Sequence, residues 1–553
     1  MIVLRRPAVG SLTLTLVTLV YVLAVTNRSF WSHAAAALSH SPASLAAFGV
    51  SICLLAFAAL TVVSAPYVQK PVAILLVLAA AASSYFADRY GVIIDRDMIG
   101  NAVTTTSAEG GQMLTPSLFL HLCLYGLLPS AVIAAVRIRH RPFLRTVGRN
   151  AAVIVSCLVC AGLLIAANFA SFAFVIREHR DVMALFHPAG PISAAVNYAL
   201  EDLSESRIVA APYGRDATVA DAHVPGRKPR VLVVVAGETA RAMNFSLNGY
   251  GRETNPELKA LNVVNFTDAT SCGTATAVSL PCMFSGFGRE AYTAARAKGR
   301  ENLTDVLKHA GIDVAWWDNN TGSKGVARLI DYASLNAKGD SPLCRGGECL
   351  DEIFLDGLEQ KVAAATADTV IVIHQIGSHG PAYYRRYPDA YRRFTPDCRT
   401  AELMSCTEEE IVNAYDNTIL YTDHVLAGIV RTLDRHTDRV AGAMVYMSDH
   451  GESLGENGLY LHGAPYAIAP VEQTHIPFLA WFSTPFQHER GLDASCLLAY
   501  SDHPMSHDNL FHTVLGMMDV RTTAYTAALD AFAPCTARGL DMATTGSEGR
   551  TQQ

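Results

Sequence analysis

The first 176 residues contain five apolar stretches, and these constrain the fold more than any other feature. They lie near residues 9–27, 45–65, 71–87, 117–136 and 151–173, and none of them contains Asp, Glu, Lys or Arg. A helix that spans a bilayer needs roughly 20 apolar residues. Five such uncharged runs in succession are hard to bury in a soluble core. We therefore predict a transmembrane domain of five helices over residues 1–176, in preference to five core helices of a soluble protein.

Basic residues between these stretches predict their orientation. Arg5 and Arg6 precede the first stretch, and Lys70 lies between the second and third. Between the fourth and fifth lie Arg137, Arg139, Arg141, Arg145 and Arg149. Because basic loops stay on the cytoplasmic side, an odd number of spans places the chain after residue 176 outside. The first stretch could also be a cleaved signal peptide, but its apolar run is long and no clear cleavage site follows, so we expect an uncleaved span.

The cysteines indicate that the outer part lies in an oxidising compartment. Four of the twelve cysteines lie in the apolar stretches, and the other eight follow residue 270. An even set in an exported domain is typical of disulfides. A zinc cluster is a weaker alternative, because these eight contain no CxxC pair. We therefore expect a multi-pass protein of a Gram-negative inner membrane with its larger part in the periplasm.

Composition and charge exclude two classes of protein, and the chain after residue 176 has three parts. Half of all residues are hydrophobic and only 17% are charged, which excludes a disordered chain. The net charge of −7 gives no reason to expect nucleic acid as a partner. Residues 177–229 form a connector that begins with an amphipathic bridging helix (Arg177 to His187) and becomes rich in proline. Residues 230–543 then form the predicted periplasmic domain, and residues 544–553 a polar tail.

The periplasmic domain alternates short apolar runs with segments of helical length. This pattern predicts an α/β fold with a central, mostly parallel sheet. The candidate buried strands are Arg230–Ala236, Asp313–Trp317, Thr369–His374, Ala443–Ser448 and Phe478–Phe482.

Ionisable residues follow three of these strands directly. Glu238 comes after the first, His379 lies five residues beyond the third, and Asp449 and His450 follow the fourth. Ligands of open α/β sheets collect at the carboxyl ends of strands, and carboxylates with imidazole suit zinc. Each residue alone has a structural alternative: Glu238 or Asp449 could cap a helix, and His450 could be a core histidine. Their repetition at three strand ends favours a functional site.

The segment Ser271–Cys282 is a loop of small residues that contains candidate nucleophiles. A threonine that opens a helix there would lie beside backbone N–H groups that attract a phosphate. A metal ion nearby would ease loss of its proton. Composition does not distinguish Thr274, Thr276 and Ser279, and an ordinary helix cap is the alternative for each.

Several ordered motifs resemble a known family. They are Gly237-Glu238-Thr239-Ala240-Arg241-Ala242, Asn244–Tyr250, Ser271–Cys282, Asp318-Asn319-Asn320, Ser378–Tyr384, Ser448–Gly458 and Ser506–His512. Together they resemble the phosphoethanolamine–lipid A transferases, which include the mobile colistin resistance enzymes. The resemblance extends over nearly the whole chain.

The resemblance implies a fold, a reaction and a cofactor. It implies a five-helix membrane domain with a periplasmic alkaline-phosphatase-like domain of the sulfatase type. It implies transfer of phosphoethanolamine from phosphatidylethanolamine to lipid A through a phosphothreonine. Thr276 would then be the nucleophile in the fourth position of one tight zinc site formed by Glu238, Asp449 and His450.

The resemblance also implies residues around this site. Lys324, His379 and His462 resemble residues that contact the phosphoethanolamine group or a second zinc ion. The disulfides that the family suggests are Cys272–Cys282, Cys344–Cys349 and Cys398–Cys406, and the pairing of Cys496 with Cys535 is left open.

Three residues of the loop after the third apolar stretch resemble residues that contact the donor headgroup in the family. Asn101, Thr105 and Glu109 are spaced four residues apart, which places them on one face of a helix. Glu109 could pair with the ethanolamine ammonium while the other two donate to oxygens of the donor. A solvated helix face is the alternative, because Gly110 and Gly111 follow at once.

Three rival functions remain open at this stage. The first is a transferase of the same fold with another glycan acceptor, and the second a membrane-anchored phosphodiesterase. The third is a non-catalytic membrane sensor, which the complete set of Glu238, Thr276, Asp449 and His450 disfavours. We expect a monomer.

Overall fold

A computed structural model describes two compact units. It covers residues 8–139, 142–205, 208–220, 224–336 and 341–536. One unit comprises Met1–Ile99 with Leu114–Leu200, and the other Gly100–Met113 with Glu201–Gln553. Residues 100–113, which lie in sequence between two apolar stretches, therefore group with the second unit. Arg5, Arg6, Arg141 and the predicted tail 544–553 lie outside the described residues.

The first unit is built from apolar helices. Within the described residues, four helical stretches are long and apolar enough to cross a bilayer: Pro42–Val62, Gln69–Tyr90, Pro116–Ala135 and Phe143–Ala167. The first predicted span is instead a pair of helices, Ser11–Val25 and Arg28–Ala37, bent by 69°. It bends where Thr26 and Asn27 donate side-chain hydrogen bonds to the carbonyl of Val22 and end the helix. The prediction of five spans therefore becomes four, or five if the bent pair counts as one.

Polar side chains inside this unit bond to one another. Gln69 Nε2 donates to the carbonyl of Ser11 and to Thr15 Oγ1, at 2.7 and 2.9 Å. Ser11 and Ser64 share a hydroxyl contact. Such pairing is required where no water can satisfy a buried hydroxyl or amide.

Three helices follow the last span, and the second and third lie wholly in the predicted connector. They are Phe169–Glu178, Arg180–Ala184 and Ala189–Glu205. The predicted amphipathic segment from Arg177 to His187 therefore spans the end of one helix and the whole of the next.

In the described residues the second unit contains an eight-stranded sheet. Its strands in chain order are β1 (Arg230–Gly237), β2 (Val264–Thr270), β3 (Asp313–Asp318), β4 (Asp331–Ser334), β5 (Thr369–His374), β6 (Ala441–Ser448), β7 (His475–Phe482) and β8 (Met505–Ser506). Their spatial order is β8-β2-β7-β6-β1-β5-β3-β4. All five predicted strands are confirmed, and β2, β4 and β8 are additional.

The sheet is mixed because β7 runs antiparallel to both of its neighbours. The sheet is thus mostly parallel, as predicted, apart from the predicted strand at Phe478–Phe482, which runs antiparallel. The chain between β6 and β7 remains at the carboxyl end of β6, where Gly451 N and Glu452 N donate to the carbonyls of Gln473 and Glu472. The strand β7 therefore begins at the end of the sheet where β6 finishes, and it runs in the opposite direction.

The core of this unit is the apolar sheet with helices packed against it. Val231, Leu232, Val233, Val234 and Val235 of β1 are all at most 1% exposed. Burial of every consecutive residue is typical of a strand covered on both faces. Helices beside the sheet include Thr276–Ser285, Leu303–His309, Ile353–Ala363, Glu408–Arg435 and His507–Met517.

Four disulfides join cysteines of the described part of this unit. They are Cys272–Cys282, Cys344–Cys349, Cys398–Cys406 and Cys496–Cys535. The last pair had been left open. The cysteines of the apolar stretches are free thiols.

The loop of residues 100–113 does not form one continuous helix. The helix Arg96–Thr104 ends, and a second helix, Ser107–Gln112, begins after a break. Thr104 and Thr105 donate hydroxyl hydrogen bonds to the carbonyls of Gly100 and Asn101, which closes the first helix. The expectation that Asn101, Thr105 and Glu109 share one helical face is therefore wrong.

Candidate active site

Two adjacent strands deliver three potential metal ligands to one point. Glu238 follows β1, and Asp449 and His450 follow β6; the strands pair in parallel, with Gly237 opposite Ser448. Their ligand atoms lie within 4.8 Å of one another, and all three side chains are buried. Among the described residues, this is the group of His, Cys, Asp or Glu arranged to hold a metal ion.

Thr276 opens the helix Thr276–Ser285 directly beside this group. Its Oγ1 lies 3.2 and 3.1 Å from the two carboxylate oxygens of Glu238 and 3.3 Å from Nε2 of His450. Thr274 instead donates to the carbonyl of Ala464, and Ser279 donates to the carbonyl of Ala275 and, at 3.5 Å, to Asp449 Oδ2. Of the three candidate nucleophiles, Thr276 is therefore the one whose hydroxyl contacts both Glu238 and His450.

The ring of His450 is oriented with one nitrogen towards Thr276. Its Nδ1 lies 2.9 Å from the carbonyl of Gly451, which places the proton on that nitrogen and leaves Nε2 as an electron-pair donor. Burial lowers the pKa of His450 to about 4, so the ring is neutral at neutral pH. A neutral imidazole is the form that binds a metal ion.

The two carboxyl groups stand close together out of water. Burial and the neighbouring Glu238 raise the pKa of Asp449 to about 8. Burial opposes ionisation of Glu238 as well, but the histidines around it hold its pKa well below its usual range. Two hard oxygen ligands and one imidazole nitrogen are a donor set that fits zinc.

A further layer of polar residues orients Glu238. Asn320 Nδ2 donates to Glu238 Oε2 at 2.7 Å. His374 lies between Glu238 and Asp318, with Nδ1 2.9 Å from Asp318 Oδ2 and Nε2 3.8 Å from Glu238 Oε2. Burial opposes protonation of His374, yet the two carboxylates raise its pKa to about 10. The sequence pattern indicates no role for Asn320, Asp318 or His374, although His374 ends a predicted strand at the correct edge.

A second imidazole group lies beside the first. The rings of His450 and His462 are 4.4 Å apart, and those of His462 and His379 are 5.4 Å apart. His462 Nδ1 lies 2.9 Å from Glu452, which also accepts a hydrogen bond of 2.6 Å from the hydroxyl of Tyr383. Burial opposes protonation of His462, but Glu452 raises its pKa to about 9. The role of Glu452 was missed, although it lies only three residues after Asp449.

The structure also locates other residues that were predicted from the sequence to bind substrate. The Lys324 ammonium donates to the carbonyl of Thr321 at 3.2 Å. Asn101 lies within the helix Arg96–Thr104, and the Thr105 hydroxyl bonds back to it. The side chain of Glu109 lies outside the described part of the structure.

His507 connects the nucleophile loop to the end of β6. Its Nδ1 accepts from the backbone N–H of Cys272 at 3.0 Å, and its Nε2 lies 2.9 Å from the carbonyl of Ser448. The ring is buried, and this burial lowers its pKa to about 4. His507 therefore holds the two chain segments that carry Thr276 and Asp449 in a fixed relation.

This sheet, with carboxylates and imidazole at adjacent strand ends and a threonine opening a helix beside them, defines an enzyme domain of the alkaline-phosphatase and sulfatase class. A family model described as Sulfatase matches residues 230–520. A second, described as phosphoethanolamine transferase EptA/EptB, matches residues 52–203.

Relatives of known name match almost the whole chain. Phosphoethanolamine transferase EptA of Escherichia coli K12 is 39% identical over 96% of this chain and 98% of its own length. Phosphatidylethanolamine transferase Mcr-1 of Escherichia coli is 36% identical over 93% and 96%. The structure of the integral membrane lipooligosaccharide phosphoethanolamine transferase A from Neisseria meningitidis is 35% identical, covers 96% of this chain and 99% of its own, and superposes with a TM-score of 0.91.

The chain belongs to the EptA/EptB phosphoethanolamine transferase family. It is a transferase enzyme, and the resemblance inferred from its motifs is confirmed.

Proposed function

We propose that the protein transfers phosphoethanolamine from phosphatidylethanolamine to lipid A. The names of its relatives support this donor and acceptor, since they include a phosphatidylethanolamine transferase and a Kdo(2)-lipid A phosphoethanolamine transferase. The observation that carries the proposal is the contact of Thr276 Oγ1 with the carboxylate of Glu238 and with His450 Nε2. A buried hydroxyl among such groups has no evident structural purpose and is suited to act as a nucleophile.

Glu238, Asp449 and His450 would hold one zinc ion, with Thr276 in the fourth position. Bound there, zinc supplies Lewis-acid stabilisation of negative charge on the phosphoryl oxygens and on the threonine oxygen. Asn320 and His374 keep the carboxylate of Glu238 in one orientation.

The first half of the proposed reaction forms a phosphothreonine. Thr276 Oγ1 loses its proton to solvent, a loss that zinc at this site would ease, and attacks the phosphorus of the donor. The bond from phosphorus to the glycerol oxygen breaks, and that oxygen receives a proton from His462. His462 is suited to this role because Glu452 keeps it protonated at neutral pH.

The second half returns the enzyme to its starting state. A phosphate oxygen of lipid A attacks the phosphothreonine, and the bond from phosphorus to Thr276 Oγ1 breaks. The threonine oxygen takes a proton from solvent, and the proton of the lipid A phosphate returns His462 to its protonated form. Lys324 and His379 contact the phosphoethanolamine group in this proposal, and a second zinc ion at His379 and His462 is the alternative.

The remaining sequence predictions belong to the same proposal. The donor headgroup is bound near Asn101, Thr105 and Glu109. The bent helix pair forms the first of five spans in the inner membrane of a Gram-negative bacterium. The second unit lies in the periplasm, and the enzyme works as a monomer.

Mass spectrometry of lipid A tests the proposal. Expression in a bacterium that lacks its own enzymes of this family should add phosphoethanolamine to lipid A, and expression of Thr276→Ala should not. Release of free phosphoethanolamine and diacylglycerol without modified lipid A would instead identify a phosphodiesterase. A modified glycan with unmodified lipid A would identify another acceptor.

A further inference from the structure

The loop of residues 100–113 ends in a side chain that bonds to the second unit. Gln112 is the last residue of the helix Ser107–Gln112, and its Nε2 lies 2.8 Å from each carboxylate oxygen of Glu348. Gln112 and Glu348 are separated by 236 residues in sequence. The contact is therefore tertiary and lies wholly within the second unit.

Arg386 completes a three-membered polar ring. Its Nη1 lies 3.0 Å from Glu348 Oε2, and its Nη2 donates to Gln112 Oε1 at 3.4 Å. The residue is 2% exposed, so its guanidinium is almost wholly removed from water. Removing one member of such a buried charge pair is costly, because the other charge is left without a partner.

The same arginine also reaches the candidate active site. Arg386 Nε donates to the backbone carbonyl of His379 at 2.8 Å. The ring of His379 is 5.4 Å from that of His462. One guanidinium thus contacts the loop residue Gln112, the carboxylate of Glu348 and the backbone of a proposed donor-binding histidine.

Glu348 is presented by a rigid support. It lies in a hairpin whose strands are Cys344–Arg345 and Glu348–Cys349, closed by the Cys344–Cys349 disulfide. The carbonyl of Cys349 accepts a hydrogen bond of 2.8 Å from Asn319. Position 347 also lies against the loop, since a side chain added to Gly347 would meet the Cβ of Ala108 at 3.4 Å.

We propose that Gln112, Glu348 and Arg386 form a latch. This latch holds the loop of residues 100–113 against the rest of the second unit, at a fixed position relative to His379. They are positioning residues for transfer from a lipid donor. The inference rests on the proposed function, because the loop carries the residues proposed to bind the donor headgroup. Gln112 is uncharged and contacts the ion pair through hydrogen bonds. The loop is therefore held by directional hydrogen bonds and not by an ion pair of its own.

The charge state of the latch is defined. Burial opposes ionisation of Glu348, but Arg386 and the hydrogen bond from Gln112 keep the pKa of its carboxyl below the usual value. Glu348 is therefore an acceptor for both partners at neutral pH.

The test compares two donors on the purified full-length enzyme in detergent. One donor is phosphatidylethanolamine in mixed micelles, and the other is bis(p-nitrophenyl) phosphate, a water-soluble phosphodiester that lacks the ethanolamine headgroup. For Gln112→Ala, the ratio of kcat/KM with the lipid donor to that with the soluble donor should fall about tenfold, because a displaced loop misplaces the lipid headgroup. Gln360→Ala, an exposed glutamine of the same unit, is the matched control and should leave the ratio unchanged.

A paired substitution tests the hydrogen bond itself. Gln112→Glu places a second carboxylate beside Glu348 and should lower the ratio at least as much as Gln112→Ala. Gln112→Glu combined with Glu348→Gln exchanges donor and acceptor and keeps a carboxylate for Arg386, so most of the ratio should return. Amide hydrogen exchange of residues 100–113 should become faster in Gln112→Ala and return towards the wild-type rate in the double variant.

The possible results distinguish failure of the latch from failure of the proposed function. A wild-type ratio in Gln112→Ala, or additive losses in the double variant, would overturn the latch. Failure of the wild-type enzyme to turn over either donor would contradict the proposed function instead, whatever the amide exchange shows.

Discussion

The candidate active site has two halves that are held in place by different means. Glu238, Asp449 and His450 lie at the ends of two adjacent strands, whose backbone ladder sets their separation. His379 and His462 lie on loops, and side-chain contacts hold them: Arg386 on the carbonyl of His379 and Glu452 on the ring of His462. A strand end is fixed by a ladder of backbone hydrogen bonds, whereas the loop histidines depend on individual side-chain contacts.

This difference predicts different responses to substitution. Loss of a strand-end group should remove the chemistry, because no neighbouring side chain can move into its place. Loss of a contact in the loop half should lower the rate in part, because the loop retains its other anchors. Substitutions in the two halves can break this distinction.

Thr276→Ala should lower transfer at least about a thousandfold, because it removes the oxygen on which the phosphothreonine forms. Thr276→Ser should retain part of the activity. The measurement is transfer by the purified enzyme, together with mass spectrometry of the peptide that contains residue 276 after incubation with donor.

The control for Thr276 is Thr267→Ala, which removes an exposed hydroxyl on β2 of the same unit. It should leave transfer unchanged. Normal transfer by Thr276→Ala would contradict the covalent mechanism.

Asp449→Asn should lower both zinc content and transfer, the latter about a hundredfold or more, because a neutral amide is a poor ligand beside Glu238. Elemental analysis of the purified protein and activity after dialysis against a chelator are the measurements. Zinc should restore the dialysed wild type and should not restore the variant. Full zinc occupancy in Asp449→Asn would show that the strand-end half does not hold the metal.

Glu452→Gln should lower kcat about tenfold with a smaller change in KM, because His462 loses the carboxylate that keeps it protonated and oriented. This is the graded effect expected of the loop half. Steady-state kinetics with the lipid donor and a zinc determination check it. Zinc content should stay normal, and a loss of zinc as large as that of Asp449→Asn would remove the distinction between the two halves.

His507→Gln should change only the dependence of stability on pH. His507 is neutral and buried in the folded protein, with a pKa lowered from 6.5 to about 4. The unfolded chain therefore binds a proton more readily, so the stabilising contribution is complete above about pH 6.5 and is lost as the pH falls towards 4.

Glutamine can accept from Cys272 and donate to Ser448 without titrating. Thermal unfolding of the full chain in detergent should thus lose stability less steeply from pH 6.5 to 4 in His507→Gln than in the wild type. His503→Gln, at an exposed histidine of the same unit, should keep the wild-type slope. Equal slopes for wild type and His507→Gln would show that His507 does not titrate in this range.

Several elements could be predicted because their signals are local. Burial of both faces makes strands such as β1 and β5 continuous apolar runs, and the ends of these runs placed Glu238, Asp449 and His450 at one edge. The apolar stretches were found for the same reason. The direction of β7 could not be predicted, because an apolar run carries no sign of which sheet edge the chain enters from.

The supporting residues of the site escaped prediction for a related reason. His374, Asn320 and Glu452 have ordinary sequence surroundings, and their roles exist only because β1, β3, β5 and β6 end side by side. The break after Thr104 was missed because the spacing of Asn101, Thr105 and Glu109 is compatible with a helix. Only the bonds from the Thr104 and Thr105 hydroxyls to the preceding turn show that the helix ends there.

The sequence by itself determined that the chain has an apolar helical part and an α/β part, which residues stand at the strand ends, and, through its motifs, the family. These properties follow from hydrophobic periodicity and from residue order, both of which are local. The tertiary structure decided that Thr276, and not Thr274 or Ser279, contacts Glu238 and His450, that Glu452 orients His462, and that Gln112 reaches Glu348. Each of these depends on the distance between atoms that are far apart in the chain, and only the packed sheet and its loops set that distance.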